Sequence, residues 1–408
     1  MVELSVLAVA TEWFSKKGGI STFNRELCIA LASIGHKVCC FLPEFTTDEE
    51  NDARNQKVTL VTPRFIPGVP EEAVSYLAPQ LPPNFSPDVI LGHDRITGPI
   101  AQHQKENWFD GAILVYFVHT TPSEIERFKR EHSLAEAERR EEVQLQLAGA
   151  CNLVVAVGPL LLDYFSPELA GLQTEPPPIE YINPGVNIRP EVRTRSGQSW
   201  ILISGRMEDT AIKGLDLAAA AVARFNNTSA TSSVLFVRGC AEEHEKKVRD
   251  LLQSHLSYNS IKIKPYTHLR ERLDADMRKA ALLLMPSRAE GFGLVALEAI
   301  GLGVPILISS RSGLADVLRS VAGSIADRFI VTVGEESDLE TDTAEWSSRI
   351  ATVMADLETA NRNVQELRLR LSTDLRWNLA AEQLTQYIIA AQESKTQLDE
   401  KTADTAVI

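Results

Sequence analysis

The chain has few cysteines, and none of them suggests a pairing. Cys28, Cys39, Cys40, Cys151 and Cys240 are odd in number and include no Cys-x-x-Cys spacing. Neither a disulfide framework nor a zinc site is indicated, and a reducing, cytoplasmic setting is expected. Positive charge is also short: 41 Lys and Arg stand against 55 Asp and Glu, a net charge of -14. Such a surface repels phosphate backbones and acidic lipids, which excludes a general nucleic-acid or anionic-membrane binder but leaves room for a local basic pocket. No apolar run reaches the roughly 18 residues that span a bilayer, so no transmembrane segment is expected. The apolar start, Met1 to Ala10, carries Glu3 and lacks a basic leader, and it reads as a strand rather than a signal peptide.

What the chain does have is size and alternation. Its 408 residues exceed what one hydrophobic core usually supports, about 250 to 300 residues, so two domains are expected. Short apolar runs alternate with longer amphipathic stretches, the pattern of parallel sheets covered by helices. Strands are expected at Leu4 to Ala10, Val38 to Leu42, Val58 to Val61, Val89 to Gly92, Ile113 to Val118 and Leu153 to Val157. After an irregular Pro-rich stretch from Pro176 to Pro190 they resume at Trp200 to Ser204, Val234 to Val237, Ile261 to Ile263, Ala281 to Met285 and Val304 to Ile308. One helix is expected from Ile20 to Ser33, stopped by Gly35. Another should start at Thr121-Pro122-Ser123-Glu124, with Thr121 and Glu124 forming a capping box and Pro122 in the first helical position. The acidic stretch from Pro43 to Lys57 reads as a solvated, mobile excursion. From Thr343 the chain turns helical up to Leu371, breaks at Asp374-Leu375-Arg376, and ends in a helix over 377–392. The polar tail, 393–408, is expected to be disordered.

The most informative segment runs Met285-Pro-Ser-Arg-Ala-Glu290-Gly-Phe-Gly-Leu-Val-Ala-Leu-Glu298-Ala. A strand, a Gly-containing loop and a helix N-terminus follow one another, which leaves free N–H groups at the carboxyl end of a parallel strand, where phosphates bind well. Gly291 and Gly293 permit close backbone approach to a ligand. A carboxylate such as Glu290 or Glu298 suits a sugar's hydroxyls or a vicinal diol. Spacing alone leaves an equal alternative, in which Glu290 caps the helix and Glu298 faces solvent. In Gly205-Arg206-Met-Glu-Asp-Thr-Ala-Ile-Lys213-Gly214 a strand ends in Gly-Arg and Lys-Gly opens the next helix, so two cations are placed to meet a diphosphate without a metal.

The segment from Glu290 resembles the retaining glycosyltransferases of family 4, whose Glu-x7-Glu motif takes the form Glu-Gly-Phe-Gly-Leu-x-x-x-Glu-Ala. The resemblance implies a GT-B fold: two Rossmann-like α/β domains facing across a cleft, with a C-terminal helix crossing back to the first. The acceptor would bind mainly in an N-terminal domain, 1–187, and the donor in a C-terminal domain, 188–372. Glu290 would hold the donor sugar, Gly291, Phe292, Gly293 and Leu294 the sugar and diphosphate oxygens through their amides, and Glu298 the ribose. Gly205, Arg206 and Lys213 would meet the diphosphate, although the family often places fewer residues between Arg and Lys. Lys16-Lys17-Gly18-Gly19 matches the family's Gly-Gly loop over the donor phosphate. His119, at a strand end, matches a His that touches the donor sugar, and His93, at another, is expected to meet the acceptor. Asn183-Pro184-Gly185-Val186-Asn187 is similar to the interdomain segment.

The function implied is transfer of a sugar from a UDP-, GDP- or ADP-sugar to an unidentified acceptor hydroxyl, with retention at the anomeric carbon and without metal or cofactor. Asp274-Ala275-Asp276 has the spacing of metal-binding glycosyltransferases but reads as a solvated helix face. A GT-B phosphorylase or a sugar-nucleotide epimerase would share this architecture, and so would a non-catalytic nucleotide-sugar-binding protein.

Overall fold

The computed structural model describes residues 2–15, 18–128, 134–172, 175–189, 199–230, 232–334 and 338–405. Lys16 and Lys17 of the Gly-Gly loop, Pro190 at the end of the Pro-rich stretch, and the tail residues 406–408 lie outside them.

Two wholly parallel sheets carry the chain. The first holds β1 (Ser5–Val9), β2 (Lys37–Phe41), β3 (Val58–Val61), β4 (Val89–His93), β5 (Ile113–Val118), β6 (Leu153–Val157) and β7 (Ile179–Ile182) in the order 3-2-1-4-5-6-7. The second holds β8 (Trp200–Ser204), β9 (Val234–Arg238), β10 (Ile261–Lys264), β11 (Leu282–Met285), β12 (Ile306–Ser309) and β13 (Ile330–Val331) in the order 10-9-8-11-12-13. Both sheets thus repeat the doubly wound order, in which the first strand of the unit lies beside the fourth. The inner strands are buried end to end, as β4, β5, β6 and β9 are, because helices cover both faces.

All the expected strands form, within a residue or two at their ends. Two further strands appear, both at sheet edges. β7 sits inside the Pro-rich stretch, which an edge strand tolerates because one side of its ladder is unpaired. β13 is only two residues long.

Four local expectations are corrected. The acidic stretch after Pro43 is not an excursion: it contains a helix, Thr47–Asn55, closed by a capping box between Thr46 and Glu49. Asp52 of that helix accepts from Trp13 Nε1 at 2.7 Å and pairs with Arg25 at 2.7 Å, which docks it on the first helix, Gly19–Ser33. At Thr121 no side-chain cap bond forms, and Pro122 opens a short helix, Pro122–Arg127, without it. The helical run up to Leu371 is divided into Leu339–Ala355 and Leu357–Asp374 by Asp356, whose side chain accepts from the Thr359 amide at 2.9 Å. Finally, the last helix runs Trp377–Thr405, well into the tail expected to be disordered. No Gly or Pro interrupts the sequence after Gln392, so nothing stops the helix there.

That helix does cross back to the first sheet. Trp377 meets Phe23 edge to face at 5.5 Å, Thr385 Oγ1 lies 2.9 Å from His36 Nε2, and Asn378 bonds Ser33 at 2.9 Å. The junction is tight at Gly185, where a Cβ would fall 2.1 Å from the Trp377 amide nitrogen. Truncating Trp377, a buried side chain at this junction, to Ala should cost about 3 to 5 kcal/mol, the usual range for a core aromatic. Urea denaturation checks it, and an unchanged midpoint would show that the helix docks without this anchor.

Candidate active site

In each sheet the loops leaving the neighbouring strands at the switch point open a crevice at the carboxyl edge. In the second sheet these are the loops after β8 and β11. Lys213, on the first loop, donates to Glu290 Oε2 on the second at 2.7 Å, and Ser287 Oγ donates to the same oxygen at 3.1 Å. Gly205 follows β8 with φ +151, and Lys213 packs along it. Arg206 is half exposed and has Asp209 3.4 Å away. The helix carrying the motif, Leu294–Gly301, starts after Gly293, whose φ of +107 suits glycine and whose Cβ would strike the Met285 side chain at 2.7 Å.

What holds the two loops in register is a residue the sequence did not single out. Arg288 is buried and grips Asp216 with both guanidinium arms at 2.8 Å, while Nη1 also donates to the Ala211 carbonyl at 2.7 Å. Its backbone amide donates to Ile212 at 2.8 Å. The planar fork of an arginine can span such a set of acceptors, and a lysine cannot.

Glu298 does not face solvent. Arg270 Nη1 donates to its Oε1 at 2.6 Å and Arg270 Nε to Asp274 at 2.9 Å, and the two carboxylates hold the guanidinium more firmly protonated than usual. The pair lines a narrow crevice with Thr22, Glu26, Asn187 and Trp377, so it lies where the two halves of the molecule meet. Asp274 and Asp276 do sit on a helix, Arg270–Lys279, but they are buried rather than solvated. Their spacing sends the side chains to opposite sides of the helix. Asp276 takes Lys264 at 2.8 Å and lies 3.5 Å from Arg238, so each carboxylate already has cationic partners.

From the first sheet, three points meet the motif loop. A Cβ on Gly291 would fall 2.1 Å from the His119 carbonyl oxygen, one on Gly158 would fall 2.8 Å from the Phe292 ring, and one on Gly19 would fall 3.1 Å from Leu294. Gly18 has φ +107 and stands at the N-cap of the first helix. The structure therefore brings Gly19, His119, Gly291, Phe292 and Leu294 together, with Lys213 and Glu290 beside them. The Phe292 side chain belongs to this contact, and only its backbone is left for a ligand.

His93 departs from expectation. It is fully buried, stacked on Phe117 at 5.0 Å, and its ring nitrogens are taken by Asn24 and His119, so it stands behind His119 instead of facing an acceptor. Its neighbour Asp94, which strand-end logic would also have flagged, holds φ +42 and accepts from the His119 amide and Gln144 at 2.9 Å and from Thr120 Oγ1 at 3.0 Å. Burial pushes the Asp94 carboxyl up to about 7 against these bonds. Asn24 was missed as well. Its only signal was a polar side chain on the apolar face of the first helix.

This arrangement defines the class: two doubly wound sheets with their carboxyl edges face to face, the GT-B fold. The solved structures it resembles include sucrose-phosphate synthase from Thermosynechococcus elongatus, at 17% identity and TM-score 0.68 over 93% of this chain and 97% of that one. HepE of Anabaena in complex with UDP and glucose matches at 17% identity and TM-score 0.65 over 94% and 99%. The sequence profile described as "Family 4 Glycosyltransferase in conflict systems" matches residues 7–384, and the chain belongs to that family. Among curated relatives, glycogen synthase of Mycobacterium tuberculosis is 28% identical over 207 residues, 50% of this chain and 46% of the relative, so the match spans about half the length of that protein. The D-inositol 3-phosphate glycosyltransferase of Arthrobacter sp. is 23% identical over 73% of this chain and 75% of its own. No helix among the described residues is long and apolar enough to cross a membrane.

Replacing Arg288 by Lys keeps the charge and removes the fork. We expect a loss of about 1.5 to 3 kcal/mol, the worth of hydrogen bonds to a charged group, read by urea denaturation. Unchanged stability would mean that the Arg288–Ile212 backbone bond alone ties the loops.

Proposed function

We propose that the protein transfers a sugar from a nucleoside-diphosphate sugar to an acceptor hydroxyl, with retention of configuration and without a metal ion. The observation that carries this reading is the Lys213–Glu290 pair at 2.7 Å, set at the switch point of the second sheet with Gly205 and Arg206 on the same loop. An arriving diphosphate offers Lys213 and Arg206 a stronger anionic partner than a single carboxylate. Glu290, released from Lys213, is then free to accept from the sugar's hydroxyls, and Glu298 keeps one oxygen for the ribose diol. The bond from the anomeric carbon to the β-phosphate oxygen breaks, and its electron pair stays on that phosphate. The acceptor oxygen bonds the same carbon from the same face, and its proton passes to the departing phosphate. Arg206 and Lys213 supply the charge stabilisation this step needs. Metal independence is supported by these two cations and by the cationic partners already held by Asp274 and Asp276. The phosphorylase, epimerase and non-catalytic readings gain no observation of their own.

UDP is the first donor nucleotide to test, because the HepE structure holds UDP and glucose. A thermal-shift screen with UDP, GDP, ADP and their sugar conjugates, with and without EDTA, should show about 2.7 kcal/mol of stabilisation at a hundred times the dissociation constant. Stabilisation lost on adding EDTA would refute metal independence, and no stabilisation by any of them would refute the donor site. Arg206→Ala should raise the transfer barrier by about 3 kcal/mol, a rate loss on the order of 100-fold. Wild-type turnover in that variant would remove Arg206 from the mechanism. Glu290→Ala should weaken discrimination between donor sugars while free-nucleotide affinity is kept, and isothermal titration with the nucleotide alone would expose the opposite result.

A further inference from the structure

β4 ends in His93, β5 leads into His119, and the parallel pairing of His93 with Phe117 sets the two imidazoles side by side. Both nitrogens of the buried His93 have partners inside the protein. Nε2 lies 2.9 Å from Asn24 Oδ1, and Nδ1 lies 3.0 Å from His119 Nε2. Asn24, itself buried on the first helix, turns its Nδ2 to Cys40 Sγ at 3.6 Å and so presents Oδ1 to the ring. A carbonyl oxygen only accepts, so the proton of the His93–Asn24 bond sits on His93 Nε2. Burial pushes His93 down to about 3, so the ring is neutral and its Nδ1 carries a lone pair. That lone pair only accepts, which requires His119 to donate from Nε2. Burial and the neighbouring His93 also hold His119 well below the usual histidine range, so its remaining nitrogen, Nδ1, carries a lone pair in turn. His119 is half-buried where its carbonyl meets Gly291, and its Nδ1 makes no hydrogen bond among the described residues.

We infer that Asn24 and His93 are positioning residues that fix His119 as the Nε2–H tautomer, so that its Nδ1 accepts a hydrogen bond from a hydroxyl of the transferred sugar. The consequence is a division of labour. Phosphate oxygens at neutral pH are acceptors, and an acceptor nitrogen repels them, so His119 meets the sugar while Arg206 and Lys213 meet the diphosphate. The chain Asn24–His93–His119 acts as a relay of orientation: an amide whose own direction is set by Cys40 and Cys28 decides, two rings away, which sign of partner the cleft accepts. The sugar contact rests on the functional reading above, whereas the tautomer does not.

The test is a long-range nitrogen–proton correlation spectrum of the full chain labelled with 15N-histidine at pH 7.5, with His119 assigned from the His119→Gln variant. We expect a bare Nδ1 and a protonated Nε2 in the wild type, and an averaged pattern in His93→Phe, which keeps the stack on Phe117, and in Asn24→Leu. A protonated Nδ1 in the wild type overturns the inference, and so does an unchanged pattern in both variants. With UDP-glucose as the probe donor, hydrolysis by His93→Phe should fall on the order of 100-fold in kcat, as when a group beside the reacting atoms is misplaced, with the affinity for UDP kept. A loss of UDP affinity with kcat unchanged would overturn the sugar contact. If the wild type neither binds nor hydrolyses any nucleotide sugar, the functional reading falls, and the spectrum alone decides the tautomer.

Discussion

A side chain at position 291 would place its Cβ 2.1 Å from the His119 carbonyl oxygen, and nearly every feature of the cleft depends on glycine allowing that approach. Gly291 does not need glycine for its backbone angle; it needs the missing carbon. With nothing there, the loop after β11 closes on the end of β5, Phe292 lies against Gly158, and Leu294 lies against Gly19. Three glycines, two from one sheet and one from the other, thus set the distance between the carboxyl edges. The ligand-facing groups then take their positions from rigid strand ends, which is how a site on loops keeps its geometry.

The approach is held from a second place. The chain passes between the sheets after β7 and returns through Leu375 into the last helix, and these two crossings touch: the Val186 amide donates to the Leu375 carbonyl at 2.9 Å, and Gly185 packs on the Trp377 backbone. Asn187 Nδ2 reaches Glu26 on the first helix at 2.9 Å, beside the crevice that contains Arg270 and Glu298. Glu298 and the covalent junction of the two halves are therefore neighbours. The start of the last helix is enough to do this, since Trp377 passes Phe23 and Thr385 already reaches His36.

Much of the fold was legible because most of the parallel strands are buried on both faces and written as apolar runs, and eleven strands could be read directly, including the less buried edge strands β3 and β10. The strands that escaped, β7 and β13, are edge strands, where burial is partial and the apolar run is short. A capping box was expected at Thr121 with Glu124, where no cap bond forms, and the one that does form, Thr46 with Glu49, lies in the stretch read as a mobile excursion. In the site, Glu290 and Lys213 were found because each sits next to a glycine at the start of a helix, a local signal. Arg288, Arg270 and Asn24 were not found, because their meaning lies in partners far along the chain: Asp216, Glu298 and His93. Asp274 and Asp276 misled in the other direction. A charged helix usually presents a solvated face, and nothing within the helix reveals that Lys264 and Arg238 wait on neighbouring strands.

A net charge of -14 and a proposed anionic substrate are compatible because the two are felt at different ranges. The overall charge acts through water and is screened within about 10 Å at ordinary ionic strength, so it governs which macromolecules approach. Inside the cleft the relevant charges are Arg206, Lys213 and Arg270, each beside a carboxylate: Asp209, Glu290 and Glu298. A buried or half-buried cation left alone would suffer a large desolvation penalty, so each is kept with a counter-charge. Those carboxylates do not cancel the site. Glu290 and Glu298 are the groups that suit hydroxyls, and the cations suit phosphate. A nucleoside-diphosphate sugar presents both, so it can take each member of the ion pairs in turn without leaving either charge bare.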